Sequence, residues 1–273
     1  MEKTINSLAN TIIDEKHTNG LGKFVFQHHE GSFALTPASM ITLEAICNNQ
    51  NHLFAKGIDW GCGIGCLAIV AARVDKVTQV IGLDISEVNI RDARKNIHAN
   101  NLAGKVEVEL SDSYLPTTSA GRRKLEQYKR QTQFILANPP SSEGDDGFEY
   151  RRMVLRDGRL YLREGGVVFL NISYQYGEKR IDSLVKQVKG YTYGGILSGT
   201  QWVPFDLQRS DLLHCLETYA QEERQGGIEY QFQNPEAVEE SIMNAQETLA
   251  YYQRTTKNPL SKWQTHLFNF EGI

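Results

Sequence analysis

Between Lys56 and Ser173 short β-rich runs alternate with helical stretches, and this alternation constrains the chain more than any other feature. The runs cover residues 57–60, 79–84, 106–110, 134–137 and 166–172. Antiparallel neighbours can be joined by a tight turn, but parallel neighbours need a crossover of a dozen or more residues, usually a helix. Strands at this spacing therefore predict a parallel, doubly wound, Rossmann-like sheet. Phe134-Ile135-Leu136-Ala137 is apolar throughout, as a strand covered on both faces should be. Helices are expected over about 65–74 and 148–162. Another begins after Ser86 as its cap, carries Val88, Ile90, Ala93, Ile97 and Ala99 near a helical spacing, and ends at Asn100-Asn101.

The flanks are less regular. Residues 1–20 read as one helix ended by Asn19-Gly20, and 37–49 as a second. Beyond Gly190, residues 196–205 read as a sixth strand, with 266–271 as a seventh paired to it. Two helices lie between them, 210–223 and 235–254, the second with Asn234 as cap and Pro235 in its first turn. The expected architecture is a mostly parallel, seven-stranded sheet with a helical N-terminal extension and a helical insertion near the C-terminus. It divides into an extension with a cofactor-covering loop (1–50), a core (51–205), and the insertion with the final strand (206–273).

Composition excludes several classes. No stretch approaches the roughly 20 apolar residues of a membrane span, and the opening Met1-Glu2-Lys3 has no charged-then-apolar leader pattern. Four cysteines without a C-x-x-C pair fit a reducing compartment, so a cytoplasmic location is expected. A net charge of −4 argues against a broad polyanion-binding surface. Two basic clusters remain, one over 122–130 and one formed by Arg151, Arg152, Arg156, Arg159 and Arg163. Each reads as a solvated helical face, with a phosphate or acidic-substrate contact as the other reading. His28-His29 have no third ligand at metal spacing, so no metal site is expected and a surface or loop role is assigned. Ser86, Ser113 and Ser141 lack a G-x-S-x-G elbow, which leaves hydrolase chemistry without support.

The chemistry lies at the expected strand ends. Asp59-Trp60-Gly61-Cys62-Gly63-Ile64-Gly65 puts three glycines after a buried strand, where the backbone must turn tightly and approach a ligand. A dinucleotide fingerprint would need glycine at Cys66, and the preceding acid would repel phosphates and suit a cationic ligand. Asp84 ends the second strand, where an acid can accept the ribose hydroxyls of an adenosine-type ligand, NAD or S-adenosylmethionine alike. Asp112, followed by Ser113, either accepts from an adenine amino group or is an ordinary loop acid. Asn138-Pro139-Pro140 follows the fourth strand. The prolines fix the backbone and remove two donors, so the carbonyls are expected to stand free. The Asn138 side-chain oxygen and the Pro139 carbonyl can then hold an amino group by both hydrogens, aiming its lone pair at an electrophile.

Together the runs D-W-G-C-G-I-G, G-L-D-I-S, S-D-S and A-N-P-P resemble the class I S-adenosylmethionine-dependent methyltransferases. The match is to the amino-methylating branch, which includes release-factor glutamine, adenine-N6 and ribosomal RNA guanine-N2 methyltransferases, and it covers about residues 30–175. The resemblance implies S-adenosylmethionine as cofactor. It implies that Asp59, Gly61, Gly63 and Gly65 line the methionine part, that Asp84 takes the ribose hydroxyls and Asp112 the adenine amino group, and that Ile85 and Ser113 also bind the cofactor. It assigns Asn138 to both cofactor and acceptor, Pro139 and Pro140 to the acceptor, and Phe33 to a loop that closes the site; plain core packing is the other reading of Phe33.

Ser141 departs from the pattern, since those families carry Tyr or Phe there. This points away from a flipped base and toward a protein side chain or small molecule with an NH₂ group, a nucleic-acid amino group being the alternative. Phe148 or Tyr150 is a substitute aromatic. Only 58 residues precede Asp59, too few for the helical substrate domain of the glutamine enzymes. Outside this class, a nicotinamide-dependent oxidoreductase accounts for the glycine loop but leaves Asn138-Pro139-Pro140 idle, and a non-catalytic protein of the same fold would bind cofactor weakly.

Overall fold

The computed structural model describes residues 9–28, 35–142, 145–237 and 239–272; Phe33 lies outside them. The chain enters through a hairpin instead of the helix expected over 1–20. Strand β1 (Ala9–Ile13) pairs antiparallel with β2 (Phe24–His28), Ile13 opposite Phe24. Ile13, Phe24 and Phe26 are buried while Ile12 is exposed, the two-residue period of a strand lying on a core. His28 continues that inward face and is buried, against the surface role read from the sequence. Asn19 and Gly20 both have left-handed φ and form a turn within the hairpin connection. Helix α1 (Pro37–Asn48) starts at Thr36, whose hydroxyl accepts from the Ser39 N–H.

The core then runs β3 (Ala55–Trp60), α2 (Cys66–Ala72), β4 (Val77–Asp84), α3 (Glu87–Ala99), β5 (Val106–Asp112), the two-residue β6 (Leu115–Pro116), α4 (Ser119–Glu126) and β7 (Thr132–Ala137). It continues through α5 (Glu149–Gly158), β8 (Leu162–Asn171), α6 (Gly177–Gln187) and β9 (Tyr191–Gly199). The tail holds β10 (Val203–Pro204), α7 (Ser210–Arg224), β11 (Phe232–Gln233), β12 (Ile242–Met243), α8 (Ala245–Thr255), β13 (Leu260–Ser261) and β14 (Gln264–Phe270).

The main sheet has the order β6-β5-β4-β3-β7-β8-β14-β9, the seven expected strands plus β6 at the edge. Strands β5, β4, β3, β7 and β8 are parallel, and β14 is antiparallel to both β8 and β9. Alternate residues of β7 enter two different cores: Phe134 and Leu136 pack with α1–α3, Ile135 and Ala137 with α4–α7. The chain leaves β3 toward β4 on one side and returns as β7 on the other. Their carboxyl ends therefore flank the crevice where open α/β sheets bind ligands.

Beyond the N-terminal hairpin, three further stretches differ from the sequence reading. Helix α5 stops at Gly158 and β8 begins at Leu162, four residues before the expected strand. Strand β9 starts at Tyr191 and continues through Gly194-Gly195, a pair that resembles a break; β14 accommodates it with two register shifts. The last helix begins ten residues after Asn234-Pro235, at Ala245. Asn244 caps it in a capping box with Glu247, and the buried Glu223 carboxylate accepts from Ala245 and Gln246 N–H. Residues 232–243 instead supply β11 and β12 to a small four-stranded sheet with β10 and β13. Among the described residues no helix is long and apolar enough to cross a membrane, and no three His, Cys, Asp or Glu side chains are grouped to hold a metal ion.

Candidate active site

Asp59 sits one residue before the end of β3 and is shielded from solvent. Its Oδ2 accepts from the Ala68 N–H in the first turn of α2 at 2.9 Å, so one of the helix's free donors is already taken. Its Oδ1 is buried with no hydrogen-bond partner among the described residues. Burial pushes the carboxyl up to about 8; the Ala68 N–H opposes this and the nearby Asp84 adds to it. A buried acid with one unused oxygen can serve as the counterpart of a cation. The glycines divide the work of the loop. At Gly61 (φ 66°) a Cβ would meet nothing, leaving open space above the turn. At Gly65 it would lie 3.2 Å from Ala93 Cβ, so this glycine lets the turn press on α3.

Asp84 ends β4 and ties the two strand ends together. Its Oδ2 accepts from Gly63 N–H at 2.8 Å, and Oδ1 from Ser86 N–H at 2.9 Å and Asn89 Nδ2 at 3.0 Å. A carboxylate offers about four lone-pair positions, so these three bonds leave acceptor capacity. Ile85 beside it is 72% exposed, an apolar surface next to the crevice. Asp112 ends β5 and is exposed. Ser113 follows in the left-handed region (φ 51°), and its hydroxyl accepts from Trp60 Nε1 at 2.8 Å. The parallel registers Trp60 with Leu83 and Asp84 with Leu110 bring all three acids to one edge of the sheet.

Asn138 follows β7, whose last residue Ala137 is level with Trp60. Its Nδ2 donates to Ser39 Oγ on α1 at 3.2 Å, which orients the amide. The Pro139 and Pro140 carbonyls do not stand free. Arg151 Nη2 donates to Pro139 at 3.2 Å and Nη1 to Pro140 at 3.1 Å. Arg151 is thus buried beneath the motif, whereas the sequence suggested a solvated helical face; it lies in the first turn of α5, which faces the end of β8. The 122–130 cluster is solvated as expected. Ser141 Oγ lies 3.5 Å from the Tyr219 hydroxyl, itself 3.0 Å from Tyr176.

Pro140, Ser141, Ser142, Asp145, Glu149 and Tyr150 line a cavity of about 430 Å³ beside the motif. Of the two aromatics that could replace the missing one, Phe148 is fully buried against Tyr176, while Tyr150 is 37% exposed, its ring 6.2 Å from that of Trp60.

Three supporting residues escaped the sequence reading: Arg151, Ser39 and Asn96. Fully buried on α3, Asn96 exchanges two hydrogen bonds with the Gln27 backbone and donates to the Ile64 carbonyl, while Asn100 exchanges two with Val25. The two amides pair with β2 as a neighbouring strand would, and fasten the hairpin to the glycine loop. Two asparagines four residues apart, next to Ala93 and Ile97 on the apolar side of α3, were the available signal.

Fold and site together define a Rossmann-like α/β protein with a glycine turn, three acids and an Asn-Pro-Pro loop at the carboxyl ends of its parallel strands. The chain belongs to the methyltransferase small domain family, whose model matches residues 23–193. It is 25% identical over 146 residues to the release factor glutamine methyltransferase of Cereibacter sphaeroides, covering 45% of this chain and 49% of that one. It is 32% identical over 122 residues to the ribosomal RNA small subunit methyltransferase C of Vibrio parahaemolyticus, covering 45% of this chain and 30% of that one. The chain thus spans about half or less of the length of these relatives. In fold it resembles the T. thermophilus 16S rRNA N2 G1207 methyltransferase, solved with AdoMet and guanosine (TM-score 0.53, 22% identity, covering 69% of this chain and 47% of that one).

Proposed function

We propose that this protein transfers the methyl group of S-adenosylmethionine to an amide or amino nitrogen held by Asn138, Pro139 and Pro140. The observation that carries the reading is the juxtaposition of Asn138 with Asp59 across the β3–β7 switch point, Trp60 level with Ala137. The residues present fit the cofactor. Asp59 has a buried oxygen without a partner among the described residues for the amino group of the methionine part, Gly61 leaves open space, and Asp84 keeps acceptor capacity for ribose hydroxyls. Gly63 belongs to the same cradle. Asp112 and Ser113 would border the adenine, with Ile85 beside Asp84. Gly65 serves the cradle through its packing on Ala93.

When bound, S-adenosylmethionine supplies an electrophilic methyl group on a sulfonium sulfur that leaves as a neutral thioether. Asn138 Oδ1 and the second lone pair of the Pro139 carbonyl accept the two hydrogens of the acceptor nitrogen. Held this way, the nitrogen presents its lone pair to the methyl carbon, and its surplus proton is lost to water. Orientation supplies most of the rate, and no strong base is needed.

The acceptor we favour is a protein side chain or small molecule, because Asp145 and Glu149, the charged residues lining the cavity among those described, would repel phosphates. The half-exposed Tyr150 favours a second reading, a nucleic-acid base stacked on its ring. Residues 1–50 would cover the cofactor, 51–205 form the catalytic core and 206–273 support the acceptor side. The four cysteines, spaced without a C-x-x-C pair, support a cytoplasmic location.

Titration calorimetry with S-adenosylhomocysteine, with NAD as control, tests the cofactor. Binding that Asp84→Ala removes is expected, and NAD should be silent. Labelled methyl transfer to a glutaminyl peptide, guanosine and adenosine then tests the acceptor, with Asn138→Ala abolishing it. Absence of S-adenosylhomocysteine binding would refute the proposal.

A further inference from the structure

Arg151 is a buried cation without a carboxylate at ion-pair distance among the described residues. Its charge is met by carbonyls. Nε donates to Asn171 at 3.1 Å, Nη1 to Pro140 and Gly147 at 3.1 Å each, and Nη2 to Pro139 at 3.2 Å. The guanidinium plane is held over the rings of Tyr176 (4.8 Å) and Phe148 (5.3 Å). One side chain thus joins the Asn138-Pro139-Pro140 turn, the loop before α5 and the end of β8.

Burying a charge is costly, and attaching α5 to β8 would need only a neutral donor. What needs a guanidinium is the turn. Prolines lack N–H groups, so hydrogen bonds can fix residues 139 and 140 only through their carbonyls. Only a planar fork of donors reaches both of these and Gly147 at once; a lysine ammonium is a point charge. Each bond uses one lone pair of its carbonyl, leaving the other free at Pro139.

We infer that Arg151 is a positioning residue for methyl transfer: it aims the Pro139 carbonyl, and through it the acceptor's amino group, without touching the cofactor. The inference rests on the acceptor role given to the motif above.

The test compares wild type, Arg151→Lys and Arg151→Ala, each checked for cooperative unfolding and for S-adenosylhomocysteine affinity. Hydrogen exchange at the amides of Ser141, Ser142, Gly147 and Phe148 should speed up in both variants while the β3–β4 strands keep their protection. Guanidinium at sub-denaturing concentration should restore protection in Arg151→Ala, and sodium should not. With the acceptor found by labelled transfer, kcat should fall about 100-fold in Arg151→Lys, as for other misplacements of about 1 Å. Cofactor affinity should be unchanged, and guanidinium should recover part of kcat in Arg151→Ala. Unchanged exchange over 141–148, wild-type kcat in Arg151→Lys, or a loss that merely follows global unfolding without guanidinium rescue would overturn the inference. Wild type that binds S-adenosylhomocysteine yet methylates none of the probes would overturn the transfer reading, while the exchange data alone still decide whether Arg151 anchors the turn.

Discussion

Asparagine at position 59 should flatten the pH dependence of stability and remove cofactor binding in the same substitution. In the free protein burial pushes the Asp59 carboxyl up to about 8, whereas the unfolded chain gives it an ordinary value of about 4. Between those limits the native state holds a proton that the unfolded state has released. The unfolded state therefore binds fewer protons, and the free energy of unfolding declines as pH rises. One proton corresponds to about 1.4 kcal/mol per pH unit, so Asp59 should remove about 2 kcal/mol between roughly pH 6 and 8, the slope easing as the group itself titrates. Asparagine has no such proton and can still accept from Ala68. Urea unfolding of both proteins across this range measures the difference in slope. Binding a cationic amino group must ionise Asp59, so calorimetry near pH 7 in buffers of different ionisation enthalpy should report close to one proton released. Parallel stability curves would show that Asp59 is ionised in the free protein. An Asp59→Asn variant with wild-type affinity for S-adenosylhomocysteine would remove the residue from the site.

His266 acts in the opposite direction. Burial holds its pKa down to about 4 despite the Ile172 carbonyl, which accepts from Nε2, and the Tyr193 hydroxyl donates to Nδ1. The unfolded chain takes up a proton below about 6.5 that the native state refuses until near 4, so stability should fall with acid across that window and His266→Gln should lack the fall in urea titrations. Asn96→Ala removes three side-chain hydrogen bonds and should cost about 2–3 kcal/mol in urea unfolding. It should also weaken S-adenosylhomocysteine binding, because the Ile64 carbonyl of the glycine loop loses its donor. Tyr150→Ala should leave cofactor affinity intact and raise KM for a planar acceptor about 10-fold, as loss of a stacking surface does; steady-state kinetics with the identified acceptor checks this.

The parallel core was legible because its signals are local. Apolar runs such as 134–137, the cap at Ser86 and the glycine turn after Trp60 carry their meaning within a few residues, and each became the element expected. The errors fall where a distant partner decides. Thr11-Ile12-Ile13 is compatible with helix or strand, and the burial of Ile13 beside Phe24 and Phe26 chose strand. Gly194-Gly195 looks like a break until β14 supplies the pairing. Asn234-Pro235 and Asn244 are both plausible caps. Glu223, more than twenty residues back, favours the second by accepting from Ala245 and Gln246.

The site divides along the same line. Asp59, Asp84 and Asn138 were singled out because ligand chemistry needs such groups at strand ends, and the structure does bring them to neighbouring strand ends. The residues that hold them were not, since each is identified by what it touches: Ser39 by the Asn138 amide, Asn96 by Ile64, Arg151 by two proline carbonyls. Arg151 was also hidden by its neighbours. Arg152 and Arg156 on the same short helix face carboxylates near the surface, and an average over the cluster gives the solvated face that is right for them. The distinguishing fact is helical phase. Positions 151, 154, 155 and 158 form the buried stripe of α5, so the arginine at 151 needs internal partners for its charge. The apolar spacing of Val154 and Leu155 already contains that stripe, and an arginine in phase with it, thirteen positions after Asn138, is the kind of signal that marks a support beneath a binding loop.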